Sequence, residues 1–369
     1  MIRAGIIGCG HVAQFAYVPG IKLLGDQITV VAAFDTVAER AETVADAFPG
    51  ASAYTSMDDF LAHGGGGEMD LVFNLTPAPL HLAITRQVFE AGYDVYTEKP
   101  IAATVDEARE LTALAEQSGR RLVVCPATIV TARFRWLRRV VDERQLGRAI
   151  MIKAQIAGMG PAAWNEYIGD PRVFYQSGVG PMIDTGVYML HGMTGLLGPA
   201  KRVQAVGGIA IPRREITIPR FHGEVIDVTT PDLFSINLDF GDETFGHLFS
   251  SFATPATKAP WFELYAERGT VSVGAAQWYN GNGGNDIFRR DGENTGWTDD
   301  VPTPDPLPTE DILASGILHA IRNINGEEPL MLTPEHATHV LEIMQAALTS
   351  VETGEAVEIA STFERPATV

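Results

Sequence analysis

Ile2-Arg3-Ala4-Gly5-Ile6-Ile7-Gly8-Cys9-Gly10-His11-Val12-Ala13 is an apolar run ending in Gly-x-Gly-x-x-Ala. It predicts a strand over 3–7, a tight turn, and a helix over 12–24. Gly8 permits the turn, Gly10 lets the backbone approach a pyrophosphate, and the small Ala13 lets helix and strand pack closely. His11 and Val12 open the helix, whose first N–H groups and positive dipole end favour phosphate. Taken alone the turn is also that of many ordinary strand–helix junctions. Ala32-Ala33-Phe34-Asp35 adds weight, because it ends the next apolar run with an acid about twenty residues on. A carboxylate there can accept hydrogen bonds from the adenosine ribose hydroxyls. It also repels a 2′-phosphate, which favours NAD. Arg40 lies one helical turn on and could meet such a phosphate, so NADP is the alternative.

Outward from that turn, strand and helix patterns alternate. Strands are expected at 3–7, 28–34, 71–74, 94–96 and 122–125, with helices over 12–24, 37–47, 80–90 and 105–117. Thr104 with Glu107 forms a capping box, and Gly119 is placed to end that helix. Such alternation implies an α/β domain with a doubly wound parallel sheet, assigned to residues 1–125. Gly64–Gly67 lacks the Lys-Ser/Thr of a phosphate loop and is read as a turn. Beyond Arg148, β-type runs dominate: 150–156, 202–207, 233–240, 244–252, 261–266 and 269–273. They predict an α+β domain over 126–369 with an open, mostly antiparallel sheet. Residues 278–308 are read as a long loop. Two helices, 309–323 and 334–352, close the chain and could pack back on the first domain.

Composition narrows the function. A formal charge of −19 disfavours a nucleic-acid surface. Arg133, Arg135, Arg138, Arg139, Arg144 and Arg148 alternate with apolar residues, as on an amphipathic helix with a solvated face. No apolar run nears the roughly 20 residues of a membrane helix. Met1 leads straight into the first strand without a signal-peptide pattern, so a cytoplasmic location is expected. Cys9 and Cys125 form no CxxC pair and read as buried fillers in a reducing compartment. His336 and His339 lack a carboxylate partner, so no metal is expected and they are assigned to a solvated helix face.

Two further constellations carry chemistry. Asn74-Leu75-Thr76-Pro77 with His81, and Glu98-Lys99-Pro100, each follow a predicted strand. That is the carboxyl edge where doubly wound sheets bind ligands. A cis proline after Lys99 would turn the lysine into the cleft. The other is Gly178-Val179-Gly180-Pro181-Met182-Ile183-Asp184-Thr185-Gly186-Val187-Tyr188. On a helix, Asp184 and Tyr188 share one face and could hold and deprotonate a hydroxyl. Trp164, Asn165, Tyr175 and Arg133 precede or flank that stretch and are candidate pocket residues.

Together these motifs resemble the Gfo/Idh/MocA oxidoreductase family over essentially the whole chain. The resemblance implies a Rossmann domain, a C-terminal open sheet often used for oligomerisation, and a cofactor cleft between the domains. It implies Lys99 as catalytic and Asp184 as substrate-orienting. A histidine usually follows that aspartate by four residues. Tyr188 stands there instead, as tyrosine does in glucose-fructose oxidoreductase. The cofactor set is then Gly8, Gly10, His11, Val12, Asp35, Asn74, Thr76, Pro77, His81, Glu98 and Lys99. Substrate would meet Lys99, Asp184, Tyr188, Trp164 and Tyr175. The expected reaction is hydride exchange between NAD(P) and a secondary alcohol of a sugar, polyol or sugar derivative, in a homodimer or homotetramer. Other readings of the same motifs are an NAD-dependent glycosidase working by transient oxidation and elimination, and a non-catalytic dinucleotide sensor.

Overall fold

Leu71, Val72, Phe73 and Val95 are wholly buried, as strands in a sheet covered by helices on both faces must be. The computed structural model describes residues 1–62, 69–167, 169–274, 284–290, 295–299, 301–303 and 311–365, so the glycine run at 64–67 lies outside the described residues. The chain divides into two units. One is Met1–Thr131 with Leu307–Leu341, and the other is Ala132–Pro306 with Glu342–Thr368.

The first unit runs β1 (Ile2–Ile7), α1 (Val18–Leu23), β2 (Ile28–Phe34), α2 (Ala38–Ala45), β3 (Ser52–Tyr54), α3 (Met57–Leu61), β4 (Leu71–Asn74), α4 (His81–Glu90), β5 (Asp94–Thr97), α5 (Val105–Ser118) and β6 (Leu122–Val124). Its six strands are parallel in the order β3-β2-β1-β4-β5-β6. The order reverses between β1 and β4, which puts the switch point at Gly8 and Leu75. The expected doubly wound sheet is present, with β3 and α3 added. The helix expected over 12–24 differs in form. A π-helical turn, Ala13–Tyr17, precedes α1. Pro19 has no N–H to give the Phe15 carbonyl, and the wide turn comes just before it. The capping box of α5 is formed in both directions, and Gly119 ends the helix at φ +64°.

The second unit contains α6 (Ala132–Asp142), β7 (Ala149–Ala157), α7 (Val187–Leu197), β8 (Arg202–Gly208), β9 (Arg213–Glu215), β10 (Val225–Asp227), β11 (Leu233–Gly241), β12 (Thr244–Ser251), β13 (Phe262–Ala266), β14 (Gly269–Val273), β15 (Asn285–Arg289) and β16 (Gly296–Thr298). α8 (Ile312–Ile324), α9 (Pro334–Thr353) and β17 (Val357–Glu358) complete the chain. The large sheet runs β16-β15-β14-β13-β7-β12-β11-β8-β17 and is antiparallel except where β7 meets β12. Alternation sends Ile152, Leu248, Ile236 and Val203 into the core, with β7 and β12 packed against α7. Gly246 admits Met193 of α7, and Gly192 admits Phe134 of α6.

Three local expectations change. The stretch 278–308 is not simply loop, since β15 and β16 fall within it and extend the sheet edge. His336 and His339 are 1 % and 0 % exposed, so they lie in the interior rather than on a solvated face. The apolar residues around them set the buried side of α9. Arg138 turns inward from the face assigned to solvent, giving Nη1 to the Gly195 carbonyl at 2.8 Å and Nε to Asp142 at 2.6 Å. Among the described residues no helix is long and apolar enough to cross a membrane, and no group of three or more His, Cys, Asp or Glu is placed to hold a metal.

Candidate active site

The glycine turn is shaped by contacts that only glycine permits. Gly8 has φ +89°, and a Cβ on it would lie 3.0 Å from the Leu75 carbonyl. Around Gly10 a Cβ would meet nothing within 4 Å. That open space is the cradle a pyrophosphate requires, so the turn fits a dinucleotide. His11 and Val12 stand at the start of the helical segment that leads into the π-turn. Asp35 directly follows β2 and is 8 % exposed. It accepts the Cys9 N–H on Oδ2 and the Val37 N–H on Oδ1, both at 2.9 Å. Two of roughly four acceptor directions are thereby used, so Asp35 braces the turn and keeps acceptor capacity to spare. Burial, with Asp35 second, pushes the Cys9 thiol up to about 12, so it stays an inert thiol.

At the exits of β4 and β5 the expected residues divide by role. Asn74 is fully buried and accepts the Thr76 hydroxyl at 2.6 Å. It also donates to the His81 carbonyl and to Thr85, each at 3.4 Å. The His81 ring lies between two loops, with Nε2 2.7 Å from the Thr76 carbonyl and Nδ1 3.0 Å from that of Pro100. Burial lowers its pKa, against the pull of those carbonyls and Glu98. Glu98 is 7 % exposed, and its Oε2 accepts the Lys99 N–H at 2.9 Å. Thr76 and Lys99 are half-buried and Pro77 is exposed. The Lys99–Pro100 peptide is cis. Asn74, His81 and Glu98 are thus buried among protein partners, while Thr76, Pro77 and Lys99 are the more exposed residues at these exits.

In the second unit, Asp184 lies in a π-helical turn, Met182–Gly186, that runs directly into α7 and Tyr188. Both residues are half-buried. Trp164 is 48 % exposed, with its ring stacked on Tyr167 at 5.9 Å. Asn165 is exposed and Arg133 half-buried. Tyr175, expected at a pocket wall, is 0 % exposed within a cluster of Ala162, Ile216, Ile218, Ile226, Val228 and Phe252. Its hydroxyl accepts the Ala162 N–H at 3.2 Å, and the Arg214 guanidinium lies 5.2 Å from its ring centroid. Two residues had no sequence signal. Tyr167 has its pKa raised to about 12 by burial and then by Asp184 and Asp170, so it belongs to the surroundings of Asp184. Tyr17 gives its hydroxyl to Glu98 across 81 positions of sequence.

Residues 2–125 match the family model described as oxidoreductase family, NAD-binding Rossmann fold, and residues 134–272 match the GFO/IDH/MocA C-terminal domain. Among curated relatives, the chain is 27 % identical to a D-xylose dehydrogenase of Paenarthrobacter nicotinovorans, over 50 % of this chain and 48 % of that one. It is 28 % identical to a D-glucoside 3-dehydrogenase of Escherichia coli, over 53 % and 54 %. The chain thus spans about half the length of these relatives. In fold it is similar to an NAD binding oxidoreductase from Klebsiella pneumoniae, with TM-score 0.80, 18 % identity, and 98 % and 99 % of the two chains covered. An aldose-aldose oxidoreductase from Caulobacter crescentus gives TM-score 0.78 at 18 % identity, over 97 % and 99 %.

Proposed function

Because this chain belongs to the Gfo/Idh/MocA oxidoreductase family, we propose that it exchanges hydride between NAD and a secondary alcohol of a sugar, polyol or sugar derivative. The observation that carries most weight is Lys99 at the exit of β5, with its backbone held by Glu98, in a sheet whose glycine turn has room for a pyrophosphate. The names of the two curated relatives, which act on D-xylose and D-glucosides, favour a carbohydrate substrate. When bound, the nicotinamide supplies the hydride acceptor or donor. Gly8, Gly10, His11 and Val12 hold the pyrophosphate and Asp35 the adenosine ribose. Thr76 and Pro77 border the cofactor, and Asn74, His81 and Glu98 act through the loops they shape. Lys99 and Tyr188 handle the hydroxyl proton as one coupled unit. Asp184 fixes the substrate, Trp164 offers it a flat apolar face, and Tyr175 supports this region from the core. A panel of pyranoses and polyols, read by NADH absorbance, tests the reading. No turnover with any of them, with NAD or NADP, would count against it.

Calorimetry should show NAD(H) binding more tightly than NADP(H). Tighter NADP(H) binding would overturn the role of Asp35 and move attention to Arg40. Asp35→Ser should narrow the difference. Since Asp35 also holds the Cys9 N–H, that variant should weaken both cofactors.

The chain is also proposed to form a homodimer or homotetramer through the second unit's sheet. Phe245, Met151, Tyr265, Thr270, Phe288 and Trp297 are paired in register across six strands. Phe245 and Trp297 are 43 % and 54 % exposed, and Val206 on the same sheet is 70 % exposed. Contiguous apolar surface of this kind favours a second copy. Light scattering at micromolar concentration should give twice or four times the 39.8 kDa chain mass, and a monomer would refute the proposal. A cytoplasmic location fits the two cysteines, which are buried and unbridged.

A further inference from the structure

We infer that Tyr17 is a positioning residue for Lys99, acting through the Glu98 carboxylate. The inference rests on the role proposed above for Lys99. Tyr17 ends the π-turn behind the glycine turn and is 0 % exposed. Its hydroxyl donates to Glu98 Oε1 at 2.7 Å, while Glu98 Oε2 accepts the Lys99 N–H at 2.9 Å. The Glu98 N–H donates to the Asn74 carbonyl at 3.0 Å. One carboxylate therefore ties the segment behind the phosphate turn to the backbone of the lysine.

The surroundings show that the hydroxyl, and not only the ring, is used. Tyr17 Oη lies 3.2 Å from Cys125 Sγ, and the Cys125 thiol donates to Tyr96 Oη at 3.1 Å. The Tyr17 ring meets Phe73 and Tyr96 edge-on, at 5.7 and 6.0 Å. Phenylalanine would fill that space, and a buried hydroxyl is costly unless bonded. A hydrogen bond to a buried carboxylate is of the stronger, charge-assisted kind. Burial, with Cys125 and Glu98, pushes the Tyr17 phenol well above its ordinary range, so it remains a neutral donor. Tyr96 is held neutral in the same way, by burial first and Cys125 second. Its hydroxyl fits only because residue 316 of α8 is glycine, since a Cβ there would collide with it. The cluster is thus closed on the side of α8, and Tyr17 ties it to the Glu98 carboxylate.

Tyr17→Phe removes the hydroxyl and keeps the ring. The full-length protein would be labelled with acetic anhydride across the alkaline range, with each lysine peptide quantified by mass spectrometry. Without the Tyr17 donor, the Glu98 carboxylate acts on the lysine with its charge unshared by that hydrogen bond, so the Lys99 midpoint should rise by about half a pH unit or more. Lys22 and Lys153 should be unaffected. In a Glu98→Gln background the same substitution should produce no further change, as groups acting through one partner are non-additive. An unmoved Lys99 midpoint, or an equal shift in the Glu98→Gln background, overturns the proposal. Turnover on the best substrate of the panel should fall about tenfold in Tyr17→Phe, and no further when Lys99→Met is already present. Wild-type turnover in Lys99→Met would instead defeat the hydride-transfer reading, and the labelling would still decide the role of Tyr17.

Discussion

Lys99→Met is expected to lower turnover by about 10²–10⁴-fold, the range for losing a positioned acid or base. Cofactor affinity and melting temperature should stay near wild type. The glycine turn and Asp35 are built without the lysine side chain, and Glu98 accepts the lysine's backbone N–H, which methionine keeps. Methionine matches the length and flexibility of the stem, so what is lost is the amine. Single-turnover hydride transfer with enzyme in excess isolates the chemical step from product release. If Lys99→Met transfers hydride at the wild-type rate in that experiment, the mechanism is wrong.

Tyr188→Phe should produce the second large effect, at least about 10²-fold in turnover if the phenol carries the hydroxyl proton. Tyr188 follows the π-turn that presents Asp184, so the two come from one continuous helical segment. In a Lys99→Met background, Tyr188→Phe should cost much less than it does alone, because a coupled pair fails as a unit. Asp184→Asn should act mainly on KM. Wild-type rates in Tyr188→Phe would remove the tyrosine from the proton path and leave Lys99 as its sole carrier.

Both variants come from residues that a reader of the bare sequence can find, and the reason is geometric. In a parallel sheet every functional loop follows a strand end. Gly8, Asp35, Asn74 and Glu98 can each be placed by counting from an apolar run. The same counting finds β14 to the residue and most of the second sheet within two. It fails where a feature depends on distant chain. β3 has only three residues at a sheet edge, too few for a period. The parallel pairing of β7 with β12 joins strands separated by α7 and four other strands, and no local pattern encodes it. His336 and His339 look like polar helix residues until the packing around α9 is known. Tyr175 lies near the Asp184 motif in sequence but serves the core, while Tyr17 lies far from Glu98 in sequence and bonds to it.

The return of residues 307–341 to the first unit bears on how the protein is made. The Val124 N–H, at the last strand of the first sheet, gives its hydrogen bond to the Leu332 carbonyl at 3.0 Å. Roughly two hundred residues must leave the ribosome between those two groups, which takes about 10–40 s at ordinary elongation rates. During that interval Tyr96 lacks the glycine face of α8, and the side of the nascent sheet that α8 will cover stands open to water. The second unit's strands emerge into this interval, so each newly made chain carries an uncovered apolar face beside growing β-structure. Chaperone demand should therefore be set by translation of the middle of the chain rather than by its beginning.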